Sequence, residues 1–498
     1  MMIYDLIETL LKHSIDNGLI SPEDQIYFRN RIIAYLGLDE PNDGKVLEIP
    51  LEEILDGFCD YAVSKGLIND TVTERDLFDA ELMSILTDRP SSIVKKFHEL
   101  YEEDKEKATS YFYDYSIKTN YIRKYRVDKD LKWSKESDKY HRVDITINLS
   151  KPEKDPKDIA RQKNMPKSNY PICLLCKENE GYKGRLNHPA RGNIRLIPLK
   201  LQGEDFFFQY SPYSYYNEHA IVLSSEHKPM VINKSAVIKL LDFVEYLPHY
   251  FIGSNADLPI VGGSILAHEH FQAGRYRFPM VDADTVYEFA LKGFDGVKAK
   301  IIKWPLSVIR ISSKDKAILG EAFDRILQKW IGYSDEEIEI IAFTDGERHN
   351  TITPIARVND DGDFELDLVL RNNRISEEHP LGIFHPHKEF HHIKKENIGL
   401  IEVMGLAVLP SRLKNELELL GNALVERRDI KDDPVLGKHY DWSKTLLEKH
   451  TFTKENYMDI LKDDVADIFL RLLEDSGVFK QTDEGICHFI KFIDFVNE

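Results

Sequence analysis

Cysteine is scarce in this chain: Cys59, Cys173, Cys176 and Cys487 are the only four in 498 residues. So few thiols over such a length rule out a disulfide framework, and a reducing cytoplasm is the expected compartment. Long apolar runs are missing as well, and none approaches the ~20 residues needed to cross a bilayer. The opening residues, Met-Met-Ile-Tyr-Asp-Leu-Ile-Glu, bring acids early and no basic stretch, which argues against a secretory signal. Positive charge is in deficit, with 66 Lys and Arg against 85 Asp and Glu, a net charge of −19. That balance argues against a nucleic-acid partner, which needs basic surface. A phosphorylated small ligand stays open, because a few local Arg and Lys side chains suffice for it.

What is present falls into five stretches of different patterning. Residues 1–125 read as a helical N-terminal region. Leu6, Ile7, Leu10, Leu11 and Ile15 recur at helical spacing, Gly18 stops that helix, and Ser21-Pro22-Glu23-Asp24 starts the next. The pattern returns 48 positions later, where Ile54, Leu55, Phe58, Cys59 and Val63 match the first set and Gly66-Leu67-Ile68 repeats Gly18-Leu19-Ile20. This is a short helical duplication without catalytic residue types, a packing or assembly module. Residues 126–168 are polar and read as a linker or loop, interrupted by the strand-like His141 to Ile147.

From Asn169 to Arg374 short β-branched or aromatic runs alternate with Gly, Pro and Asn, and helical patterns interleave at Ala236 to Val244 and Lys314 to Trp330. The mixture predicts an α+β fold with antiparallel sheet. The expected divisions are 169–335 for a half bearing the chemistry, 336–410 for a second sheet-containing half, and 411–498 for C-terminal helices.

The chemistry concentrates in Asn-Ala-Asp-Leu-Pro-Ile-Val-Gly-Gly-Ser-Ile-Leu-Ala-His-Glu-His-Phe-Gln, residues 255 to 272. His268, His270 and Gln272 alternate, so in a strand they share one face while Glu269 and Phe271 point the other way. A flexible glycine corner before two imidazoles and an amide suits a site that binds a phosphate and attacks it.

This wording resembles the active-site motif of the histidine-triad superfamily. With Gln in the last place, and with Asn255 and Gly262-Gly263-Ser264 upstream, it is similar to the hexose-1-phosphate uridylyltransferases, in particular their second, bacterial class. The resemblance implies a histidine-triad-like antiparallel core of two related halves flanked by helices. It implies His270 as nucleophile, Gln272 as the phosphate-holding amide, Ser264 with Gly262 and Gly263 on the attacked phosphate, and Asn255 bonded nearby. Glu269 replaces the proline of the better-known branch, and one extra residue separates Ser264 from His268. Chemically the set is coherent. A neutral imidazole attacks phosphorus well, and a sugar phosphate leaves as a stable anion without strong acid assistance. Residue 272 therefore needs only to donate a hydrogen bond to a developing charge.

The same resemblance implies a structural zinc on Cys173, Cys176, His227 and His268; Cys173-Leu-Leu-Cys176 by itself is half of a tetrahedral thiolate site or a reduced pair. Arg185, Asn187 and Arg191 stand where the family contacts uridine, with Asn187 suited to the uracil edge and the arginines to phosphate. Arg357, Arg371, Arg374, Lys394 and Lys395 are candidates for the second phosphorylated sugar. An iron site of the family is not carried over: His385-Pro386-His387 and Glu288 are available, but the strand-like Leu366 to Arg374 lacks ligands. The expected substrates are UDP-glucose, UDP-galactose, glucose 1-phosphate and galactose 1-phosphate, with no nucleic acid and no membrane, and the duplicated helices are compatible with a homodimer. Two rivals are a dinucleoside-polyphosphate phosphorylase or nucleotidyl hydrolase of the same superfamily, and a zinc-stabilised interaction module.

Overall fold

The computed structural model describes residues 2–150, 158, 161–162, 165, 168–263 and 265–498. In chain order the helical part comprises α1 (Ile3–Asp16), α2 (Gln25–Leu36), α3 (Leu51–Ser64), α4 (Val72–Ile85), α5 (Pro90–Glu103), α6 (Lys105–Lys118) and a short α7 (Lys124–Val127). Strands follow as β1 (Leu131–Ser137), β2 (His141–Ile147), β3 (Ile197–Leu201), β4 (Glu204–Tyr210) and β5 (Ala220–Ser224). After helix α8 (Lys234–Tyr246) come β6 (Phe251–Gly253), β7 (His270–Gly274), β8 (Thr285–Phe289), β9 (Lys298–Ile302) and β10 (Val308–Ser313). Helix α9 (Lys316–Ile331) precedes the small ribbon β11 (Phe343–Thr344) and β12 (Glu347–Arg348), then β13 (Asn350–Val358) and β14 (Phe364–Asn372). The chain closes with α10 (Leu400–Val403), β15 (Leu406–Leu409), α11 (Arg412–Val425), α12 (Tyr440–Lys449), α13 (Tyr457–Ser476) and α14 (Asp483–Asn497).

These elements form two compact units. One holds Met1–Lys129, Ser150–Ser214 and Glu218–Lys228; the other holds Asp130–Leu149, Tyr215–Asn217 and Pro229–Glu498. The fold class is α+β, as the patterning predicts.

In the first unit the helical duplication is physical. Helix α1 buries Leu6, Ile7, Leu10 and Leu11, and α3, packed against it, buries Ile54, Leu55, Phe58 and Cys59. Both end identically. Gly18 and Gly66 each adopt φ +68°, a left-handed turn that a Cβ would strain. Beyond each glycine the Leu19 amide reaches back to Ser14 O and the Leu67 amide to Ala62 O, both at 2.9 Å, closing matching C-terminal caps. Strands β3, β4 and β5 form an antiparallel meander. Phe206, Phe208 and Tyr210 are fully buried, and Phe208 and Tyr210 pack against Phe112 of α6, so the aromatic run around them is core.

The second unit is built on the strand order β7-β6-β13-β14-β10-β9-β8, each neighbouring pair antiparallel. Helices α8 and α9 pack on one face. Against the other, Val308, Ile355 and Val369 join Leu400, Leu406 and the apolar sides of α11 and α13 in one core. Opposed partners define a row across this sheet: Gln272, Gly253, Ile355, Asp367, Arg310, Lys300, Glu288. Opposed residues share a face, so each of these side chains lies on the face away from α8 and α9.

One expectation needs correction here. Leu131 to Ser137, read as loop, is strand β1, paired to β2 along its whole length. Its alternation was hidden because Lys135 occupies an inner position, where it reaches Asp463 at 2.8 Å and Asp467 at 2.7 Å. The linker-like Lys151 to Lys157 lies outside the described residues.

Candidate functional site

Strand β7 begins at His270, so His268 sits just before regular pairing starts rather than within it. The parity expected from the sequence holds for Glu269, His270 and Gln272. Glu269 points to the helical face, where its carboxylate meets Lys239 of α8 at 2.9 Å with both side chains under 10% exposed. His270 and Gln272 project to the opposite face, with Gln272 opposed to Gly253.

The His270 ring is fixed by its own backbone. Nδ1 lies 2.8 Å from the His268 carbonyl oxygen, which can only accept, so Nδ1 carries the proton and Nε2 keeps its lone pair. Burial, with a smaller contribution from the His268 imidazole, outweighs that hydrogen bond and pulls the His270 pKa down to about 4. At neutral pH the ring is an uncharged imidazole of defined tautomer. Both residues are buried, His270 at 7% exposure and His268 at 1%.

The glycine turn is shaped by lack of space rather than by unusual backbone angles. A Cβ on Gly262 would sit 2.6 Å from the carbonyl oxygens of Ala256 and Leu258, and one on Gly263 would sit 2.7 Å from Asn255 Nδ2. The flexibility expected of this corner is thus replaced by close packing. Asn255 is buried, and its Oδ1 accepts the Leu400 amide at 2.9 Å, which leaves its Nδ2 against Gly263. Just upstream, Asp257 accepts the Thr351 hydroxyl at 2.6 Å and both the Ile232 amide and Arg348 at 3.0 Å, pinning the loop to β13. Ile260 is held at φ +74°, a conformation that costs a β-branched residue of order 1–3 kcal/mol. Ser264 lies outside the described residues.

In the first unit Cys173, Cys176 and His227 converge. The two Sγ atoms are 3.6 Å apart and Cys176 Sγ is 3.3 Å from His227 Nδ1. The Sγ–Sγ separation fits the edge of a tetrahedron around zinc, about 3.6–3.8 Å for the usual Zn–S and Zn–N bond lengths, and the Sγ–Nδ1 separation is shorter than that edge. Asn179 Nδ2 donates to the carbonyls of both cysteines, at 2.9 and 2.7 Å, and holds the turn closed. Burial pushes the Cys173 thiol up to about 11; a bound cation would reverse that by stabilising the thiolate. His268 belongs to the second unit.

The residues expected at uridine divide. Arg185 and Asn187 come together, Nε to Oδ1 at 2.7 Å, with Tyr182 and the Tyr170 carbonyl also on Arg185. The Arg191 amide donates to the Tyr182 carbonyl at 3.1 Å, while its buried guanidinium lies over the Tyr121 ring and bonds that hydroxyl at 3.1 Å. His385 and His387 are held within their own segment and by α13: His385 bonds Asn397 at 3.2 Å, while His387 bonds the Ile383 carbonyl at 3.1 Å and pairs with Asp475 at 3.4 Å. On β14, Asp367 is clamped between Arg310 at 2.6 Å and Arg357 at 2.8 Å. Lys239 escaped the sequence reading, because one lysine among the apolar positions of α8 carries no mark of its partner.

The family profile described as galactose-1-phosphate uridyl transferase, N-terminal domain, matches residues 18–229, and the one described as its C-terminal domain matches 243–444. The chain is 51% identical to galactose-1-phosphate uridylyltransferase of Clostridium acetobutylicum, over 99% of this chain and 100% of that one. It is 50% identical to the enzyme of that name from Fusobacterium nucleatum, over 100% and 99%. Among solved structures, yeast Ap4A phosphorylase Apa2 aligns over 62% of this chain and 88% of that one, at 12% identity and a TM-score of 0.34.

Proposed function

The chain belongs to the galactose-1-phosphate uridylyltransferase family and is a nucleotidyltransferase, and from that premise we propose that it moves a uridylyl group from UDP-glucose to galactose 1-phosphate through a covalent bond to His270. The observation that carries this reading is the hydrogen bond from His270 Nδ1 to the His268 carbonyl, which aims an unprotonated Nε2 away from the backbone. Nε2 attacks the α-phosphorus of UDP-glucose. The bond from that phosphorus to the bridging oxygen breaks, and its electron pair leaves with glucose 1-phosphate. A phosphate oxygen of galactose 1-phosphate then attacks the same phosphorus, the P–N bond breaks, its pair returns to Nε2, and UDP-galactose departs.

Gln272, two residues along the same strand face, donates its amide to a non-bridging oxygen of the group being transferred. Gly262, Gly263 and Ser264 border that phosphate, and Asn255 holds the turn by its bond to Leu400. Arg185 and Asn187 are assigned to the uridine. Two displacements on one nitrogen retain configuration at phosphorus and give ping-pong kinetics. With no helix among the described residues long and apolar enough to cross a membrane, the cytoplasm is the compartment of this reading.

The test is capture of the intermediate. Incubation with uracil-labelled UDP-glucose is expected to leave acid-labile label on His270, discharged by galactose 1-phosphate as UDP-galactose. Release of free UMP without any bound label would end the proposal.

We further assign a structural zinc to Cys173, Cys176 and His227, with His268 as the fourth ligand that the motif supplies. When bound, the ion cross-links these segments and turns the thiols into thiolates. Protein prepared without chelator is expected to carry about one zinc per chain, and the Cys173→Ser/Cys176→Ser double variant well under half of that with a lower melting temperature. Equal metal content in the two proteins would remove the assignment.

A further inference from the structure

Arg371 of β14 is among the largest side chains buried in the molecule, 1% exposed, yet its guanidinium is barely bonded. Nη2 donates to the Ile398 carbonyl at 3.1 Å, while Nε and Nη1 have no hydrogen-bond partner among the described residues. Its nearest opposite charge, Glu402, is already engaged by Lys394 at 2.8 Å and by the Gly399 amide at 2.9 Å. Lys394, Glu402 and Arg371 together therefore carry one positive charge in excess, in a place where an uncompensated cation is costly. Such a guanidinium is incomplete until an anion reaches it.

Its position says which anion. Asp367 stands in the row of Gln272, and Arg371 is four residues further along the same strand, so both share the sheet face of His270. Arg371 opposes Thr351, whose hydroxyl is bonded to Asp257 of the loop that leads into the glycine turn. Arg371 and Asn255 also grip the same short segment: one bonds the Ile398 carbonyl and the other the Leu400 amide. Two residues of extended chain between those bonds put the guanidinium within roughly 12 Å of the Asn255 amide, and so of Gly263. Thr353 adds a second donor on that face. It is 1% exposed, and its hydroxyl likewise has no partner among the described residues.

We propose that Arg371, assisted by the Thr353 hydroxyl, receives the phosphate of the hexose 1-phosphate, the group that leaves in the first displacement and attacks in the second. A phosphate monoester matches the guanidinium in charge, and each unbonded nitrogen, Nε or Nη1, can donate a hydrogen bond to it. The inference rests on the uridylyl-transfer reading and adds to it the residue that distinguishes a phosphorylated acceptor from a free sugar or water.

Arg371→Met and Arg371→Lys would be titrated calorimetrically with galactose 1-phosphate and, separately, with UMP, and assayed over a range of galactose 1-phosphate. For Arg371→Met we expect at least a tenfold rise in both Kd and KM for the sugar phosphate, UMP binding within threefold of wild type, and an intermediate value for Arg371→Lys. Wild-type affinity for galactose 1-phosphate in a folded Arg371→Met protein overturns the proposal. Should that variant fail to fold, Thr353→Val decides. A rise in Kd of threefold or more supports the assignment, and an unchanged Kd overturns it. Wild-type protein that takes no label from UDP-glucose would instead defeat the transfer reading itself, so the two failures are distinct.

Discussion

Asparagine at position 270 is expected to lower uridylyl transfer by roughly 10⁴-fold or more while leaving the fold in place. The asymmetry follows from the two ring nitrogens. The side-chain amide of asparagine can still donate to the His268 carbonyl, as Nδ1 of His270 does at 2.8 Å, so the local backbone loses little. It offers no lone pair able to bond phosphorus, so the covalent route closes. Steady-state turnover by a coupled UDP-galactose assay, together with the far-UV spectrum and melting temperature, checks both halves. A His270→Asn protein with wild-type turnover would show that uridylyl transfer proceeds without this imidazole.

The second large effect concerns stability. Lys239→Met is expected to destabilise the fold by about 3–5 kcal/mol, because it removes the cation 2.9 Å from the Glu269 carboxylate at a buried position. The loss would be felt next to His270, since Glu269 is the residue between the two histidines. The double variant Lys239→Met/Glu269→Leu is expected to recover much of the loss, as apolar replacement of a whole buried pair often costs little. Denaturant titration of the three proteins measures this. If Lys239→Met melts like wild type, the pair is not holding the strand.

Much of the architecture was written in local pattern. The two-residue period of His268 to Gln272 placed Glu269 and His270 on opposite faces, and the helical spacing at Leu6 and again at Ile54 located both copies of the repeat. Where the sequence misled, the determining contact was remote. Lys135 looked like loop composition until Asp463 and Asp467 accounted for it. Arg371 stood among five equivalent cations, and only its burial and its unbonded nitrogens set it apart. The glycine pair was located correctly but for the wrong reason: the carbonyls of Ala256 and Leu258 and the Asn255 amide crowd the turn, and no residue-by-residue pattern reports crowding.

The twin caps at Gly18 and Gly66 bear on how the N-terminal module holds together. Each copy offers a greasy stripe that its sibling helps to shelter, so half of the pair would be a sticky fragment rather than a smaller version of the whole. Cooperative melting of the duplicated region as one block is the natural outcome, and proteolytic loss of one copy would expose the other.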